Sequence, residues 1–174
     1  MRYALIYGAL AGAVAAAAIG AGIVFELPSH AQSEWFGYLA MLVALSLIFV
    51  GVKRYRDVEC GGVIGFRRAF LLGLGISAVA GVIYVAVWET YVAISGIDYM
   101  ADYSAKTLAD MRASGASEAE IAATAAELRD MALSLRNPLV RLPMIFLEIF
   151  PVGLIVSLLS AAVLRNPRVL PARG

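Results

Sequence analysis

Glu148 and Glu89 are the residues of this sequence most able to do chemistry. Glu148 lies in Phe146-Leu147-Glu148-Ile149-Phe150-Pro151-Val152-Gly153-Leu154, within an apolar run that continues to Leu164. Glu89 closes a charge-free run that starts at Ala69. A charged carboxylate at a bilayer centre costs about 2.5–3.5 kcal/mol on insertion scales. Protonation or a bound cation relieves that cost, and two acids near each other favour a shared proton. Pro151 lacks an N–H and so frees the Leu147 carbonyl one turn back, while Gly153 permits bending or close helix approach. A carboxylate beside a freed carbonyl suits a proton or cation. A packing role stands beside this one. Glu148 pairing with Arg141, seven residues earlier on a similar face, or bonding a tyrosine or serine across a bundle, would only lock helices together.

The other reactive residue types are scarce. Cys60 is the only cysteine and His30 the only histidine. An internal disulfide and a Cys/His zinc cluster are excluded, as is a Ser-His-Asp triad unless His30 serves alone. His30 sits with Pro28 and Ser29 in a short polar connection from Glu26 to Glu34, and reads as a solvated loop residue rather than a metal ligand. HExxH and GxSxG are absent, and paired glutamates alone are a weak sign of an enzyme. No catalytic residue, metal or cofactor is expected.

The elements that must position the acids are membrane spans. Of 174 residues, 61% are hydrophobic and 16% charged, with mean hydropathy +0.82. Soluble domains carry about 45–50% apolar and about 25% charged residues, so the excess needs lipid to cover it. A net charge of +1 leaves no surplus basic face for nucleic acid. Four apolar runs, at about 3–25, 35–52, 69–94 and 138–164, each have the length to cross roughly 30 Å of hydrocarbon. The first could be a secretory signal, with Ser29-His30-Ala31 as its cleavage site, but its apolar core exceeds the usual ~7–15 residues.

Small residues at helical spacing indicate close packing. Gly8, Gly12, Ala16 and Gly20 recur along span 1, and Gly73, Ser77 and Gly81 along span 3. Spans 1 and 3 are the expected close-packed pair, although the small stripe of span 1 could also meet another copy of the chain. Lys53, Arg54, Arg56, Arg67 and Arg68 flank the glycines of the loop between spans 2 and 3, and Arg165, Arg168 and Arg173 follow span 4. With Arg2 they put both termini on the cytoplasmic side, where basic residues also meet anionic headgroups. Gly61, Gly62 and Gly65 match no phosphate-binding fingerprint and read as a turn.

Residues 98–137 turn charged and alanine-rich. Gly115 suits a left-handed helix end, and Ser117-Glu118-Ala119-Glu120 has capping-box form. An apolar stripe runs through Ile121, Ala125, Leu128, Ala132 and Leu135, and a weaker one through Tyr99, Tyr103, Thr107 and Met111. A helical hairpin outside the bilayer is expected, with a disordered acidic linker as the competing reading. Counting about 1.5 Å per residue from the basic flanks puts Glu89 roughly 31 Å and Glu148 roughly 25 Å from the cytoplasmic boundary. Counting inward from Asp98 and Asn137 puts both near 14–17 Å depth. Either way the two acids come within plausible reach of each other.

Four stretches resemble a bacterial membrane-protein family called domain of unknown function 4199. They are Leu45–Phe49 through Lys53–Asp57, Gly61-Gly62 with Phe66, Trp88-Glu89, and Phe146–Gly153. Arg112–Glu127 resembles the family's outer hairpin, so the likeness covers almost the whole chain. The resemblance implies a four-span membrane protein and supplies no activity, cofactor or site residue. The expected fold is therefore all-α: an integral membrane four-helix bundle with a hairpin between spans 3 and 4, in a bacterial inner membrane. The expected function is non-enzymatic, an accessory subunit that binds a membrane-protein partner or another copy and holds a polar site at Glu89 and Glu148. The alternative is a small oligomeric transporter coupled to protons or cations through the same two acids.

Overall fold

A computed structural model describes residues 1–24, 34–96 and 98–171, and within them the side chains outside 18–24, 34–38 and 40. The surroundings of Gly20 are not among those described, and the connection around His30, like Arg173, lies outside the described residues. All regular structure among the described residues is helical: α1 (Arg2–Val24), α2 (Glu34–Glu59), α3 (Phe66–Ser95), α4 (Tyr99–Ala113), α5 (Glu118–Leu135) and α6 (Pro138–Leu164). Two of these, α3 and α6, are long and apolar enough to cross a membrane; α1 is apolar over Arg2–Ala17, a shorter length.

The chain divides into two units, Met1–Val87 with Phe146–Gly174, and Trp88–Ile145. The core of the first draws Ala11 from α1, Leu45, Ile48 and Val52 from α2, Ile76 and Ala80 from α3, and Ile149, Ala161 and Leu164 from α6. Its surface carries Leu5, Leu10, Leu42, Leu71, Val82 and Ile155, while Arg56, Ser77, Ser157 and Ser160 are buried. The interior remains mainly apolar, and what stands out is the number of large apolar side chains left on the surface. Such a surface suits contact with hydrocarbon or with another protein.

Glycine lets the helices of this unit touch. A Cβ on Gly8 would lie 2.5 Å from Val79 Cβ, and one on Gly12 2.6 Å from Ile83 Cγ2, so α1 packs on α3. Of the small residues of α3, Gly75 lies against Ala4 of α1, but the stripe of Gly73, Ser77 and Gly81 does not take part in that contact. Gly73 meets Ser157, Gly81 meets Phe146 and Ser77 meets Gly153, all on α6. The two small stripes thus face different neighbours, because α3 offers β-branched knobs to the glycines of α1 and keeps its own groove for α6.

The second unit holds the hairpin, with α4 packed on α5. Asp98 caps α4 by accepting from the Ala101 N–H at 3.0 Å, and Gly115 turns the chain at φ 80°. Ser117 and Glu120 form the reciprocal capping box that opens α5. Ile121 and Leu128 are its buried residues. The inner face of α4 is Met100, Ser104, Thr107, Leu108 and Met111, whereas Tyr99 and Tyr103 are exposed. The two tyrosines leave the expected stripe to stack on each other, centroids 6.4 Å apart, with Tyr99 edge-on to Trp88 at 5.7 Å.

Candidate functional site

In the second unit, Glu89 is held by Arg141. The guanidinium donates from Nε to Oε1 at 2.9 Å and from Nη2 to Oε2 at 2.5 Å. Its Nη1 also donates to the Leu135 carbonyl at 3.4 Å, near the end of α5. One arginine on α6 therefore ties the end of α3 to the foot of the hairpin. A bidentate guanidinium–carboxylate pair is directional as well as strong. The side chains are 37% and 27% exposed, so solvent screens the pair in part. Arg141, considered above for Glu148, belongs to Glu89.

In the first unit, Glu148 sits on the exposed face of α6. At about 100° per residue, Glu148, Pro151, Ile155, Leu159 and Ala162 share one side of the helix, and all are exposed. Ile149, Gly153, Ser157, Ser160 and Leu164 share the other side and are buried. Gly153, five residues on, points about 140° away from Glu148. The carboxylate is thus aimed out of the helix packing rather than into it. Leu142–Leu164 carries no other charge, and Arg165 lies roughly 25 Å of helical rise away.

Gly153 is a contact, not a hinge. A Cβ there would run into Ser77 Oγ, which is buried and has no hydrogen-bond partner among the described residues. Ser157 Oγ donates back to the Gly153 carbonyl at 2.7 Å. The spacing Gly153, Ser157, Ala161 was the sequence signal for this seam. It repeats every four residues as in α1 and α3.

The basic loop gathers at one end of the first unit. Arg2 and the Tyr3 hydroxyl both bond Glu59, at 3.1 and 3.0 Å, and Arg68 donates to the Tyr55 hydroxyl at 2.5 Å. Gly61 and Gly62 take φ of 59° and 85°, the left-handed turn for which glycine is suited. Arg54, Arg67 and Arg68 are exposed there, and Lys53 is half-buried. Arg56 differs: it is 0% exposed. Its Nε donates to Asp57 at 2.7 Å, its Nη1 to the Val169 carbonyl at 2.9 Å, and its Nη2 to the carbonyl of Leu170. Leu170 has φ 48°, a left-handed conformation uncommon outside glycine. Burial pushes the Asp57 carboxyl up, but hydrogen bonds and charge from Lys53 and Arg56 outweigh it and hold it below its ordinary value. A run of basic residues in sequence gave no sign that one of them anchors the tail.

A family model described as Protein of unknown function (DUF4199) matches residues 2–166. The chain belongs to this family. No curated protein and no solved structure matches it. Membership in DUF4199 covers both units, so the outward acid, the Glu89–Arg141 pair and the buried Arg56 all lie within the family's span.

Proposed function

We propose that the protein is a non-enzymatic, partner-binding subunit of a bacterial inner membrane. It spans the bilayer four times, with α1, α2, α3 and α6, and its termini and basic loop face the cytoplasm. The observation that carries the reading is the outward aim of Glu148 from an otherwise apolar helix face. A carboxylate so placed is costly against lipid and serves best at a contact with something outside the chain. The small-residue faces favour the same reading, because the described ones are occupied within the chain. The contact with a partner then falls to the outer face of α6 and to the hairpin.

Extraction of the native membrane into polymer-bounded lipid discs tests this. The protein should elute at a mass above its own 18.5 kDa plus lipid, with a second membrane protein in constant ratio. A monomer without a partner in such discs would contradict it. Alkaline phosphatase fused within Ser114–Ala116 should be active, and fused after Arg165 inactive, if the hairpin is periplasmic.

The transporter reading keeps one observation in its favour, an acid three residues before a mid-helix proline at Pro151. Glu89 is neutralised by Arg141, so that reading rests on Glu148. Proton flux into liposomes that Glu148→Gln abolishes would favour it over the subunit reading.

A further inference from the structure

We infer that the outer face of α6 around Glu148 docks a transmembrane helix of a different protein, one carrying a lysine or arginine level with that carboxylate. The inference rests on the subunit reading above and names the chemistry of its partner. Charge complementarity decides the occupant. The face is Glu148, Pro151, Ile155 and Leu159, with Leu147 at its flank, and every group on it except the carboxylate is apolar. Lipid tails give a carboxylate nothing to bond, and apolar side chains give nothing either. If the carboxylate stays charged, its donor comes from a neighbouring helix.

A second copy of this chain has no cation within its apolar runs. Between Tyr3 and Val24, Trp35 and Val52, Ala69 and Trp88, and Leu142 and Leu164, the sequence contains no lysine, arginine or histidine. Two copies meeting on this face would bring one carboxylate to another. Within the chain, Arg141 is committed to Glu89 and Arg56 to Asp57 and the tail. The cation therefore has to be foreign. Pro151 and Ile155, one and two turns along, leave a shallow apolar surface on which such a helix can lie.

Photo-crosslinking in the native membrane tests this. A benzophenone amino acid is placed at Leu147 and at Ile155, with Leu42 on the exposed side of α2 and Tyr103 on the hairpin as comparison sites, and the adducts are sequenced. Adducts from 147 and 155 should map to one membrane helix of another protein, within about a turn of a lysine or arginine. Glu148→Gln, which keeps shape and hydrogen-bonding size, should cut their yield at least tenfold and leave the Tyr103 adducts unchanged. Glu148→Lys should lose the adduct, and exchange of the partner's basic residue for glutamate should restore it. Adducts only to lipid or to a second copy, a partner helix without a cation, or a yield untouched by Glu148→Gln would overturn the inference. If the face of α6 gives none of the expected adducts while Tyr103 yields a partner, this inference fails and the subunit reading stands. If neither site yields a protein, both fail.

Discussion

The two acids of the apolar helices are treated in opposite ways. Glu89 receives a bidentate guanidinium from Arg141 in its own unit. Glu148 points to the outside of α6, where its helical neighbours on the same face are apolar. The first carboxylate is spent on architecture, since Arg141 also reaches the Leu135 carbonyl and so fixes the foot of the hairpin. The second contributes no hydrogen bond described within the chain. An acid retained at an exposed apolar position without an internal use is the better candidate for function. The contrast separates the part of the original site that holds the fold from the part that is free to act.

Five substitutions sharpen that separation. The largest effect belongs to Arg56. Arg56→Ala removes a buried cation and leaves Asp57 to Lys53 alone, with the Val169 and Leu170 carbonyls unbonded, which should cost about 3 kcal/mol. The fall in unfolding temperature should come with faster proteolysis of the tail after Leu164.

Gly153→Ala comes next. Its Cβ would run into Ser77 Oγ, and overpacking of this kind costs about 1–3 kcal/mol. Ser77→Gly in the same chain should recover most of the loss, as read by resistance to unfolding in sodium dodecyl sulfate. The same double substitution should leave adducts at Leu147 unchanged, because Gly153 and Glu148 lie on different sides of α6.

Glu89→Gln weakens the pair with Arg141 by about 1 kcal/mol, a figure kept low because both side chains are partly exposed. Hydrogen exchange should quicken at the end of α5 and the start of α6. Glu148→Gln should leave the stability of the isolated chain within about 0.5 kcal/mol, the usual range for an exposed site. Equal destabilisation by the two glutamine variants would erase the contrast between the acids.

The most local effect is at the hairpin tip. Ser117→Ala removes the cap of α5 and should cost about 1 kcal/mol locally. The same box has a pH signature. The Ser117 hydroxyl and then its N–H hold the Glu120 carboxyl below its ordinary 4.5. A lowered folded-state pKa gives stability that is complete above 4.5 and lost as pH falls through the lower folded value. The first turn of α5 should therefore fray only in acid, as pH falls below that ordinary 4.5, visible as rising amide exchange at Ile121. Fraying near neutrality would contradict the cap's role.

What the sequence allowed to be read follows the range of the interactions. The caps at Ser117 and the turn at Gly115 are local, fixed within four residues, and both were legible. Helix existence followed from apolar length, and the resemblance carried by Phe146–Gly153, Trp88-Glu89 and the basic loop matched the family model over residues 2–166. Partners distant in sequence were less legible. Small-residue spacing marks which faces pack closely but not which helix they meet, so α1 and α3 were paired through the wrong stripe of α3. Arg141 is seven residues from Glu148 and 52 from Glu89, and spacing on one helix favoured the nearer acid. The tyrosines of α4 followed Trp88 rather than helical period. Arg56 was hidden because its ligands are main-chain carbonyls of Val169 and Leu170, which no side-chain pattern announces.

The most direct measurement is the mobility of a nitroxide on Leu147, beside Glu148 on α6, in a chain whose Cys60 is replaced by serine. In purified chain reconstituted into phospholipid the label should be mobile and accessible to oxygen, since that face is exposed. In the native membrane it should be immobilised and shielded from oxygen, and Glu148→Gln should return it toward the mobile state. Immobilisation already present in the purified chain would mean that the face is internal. Equal mobility in both membranes would mean that nothing docks there.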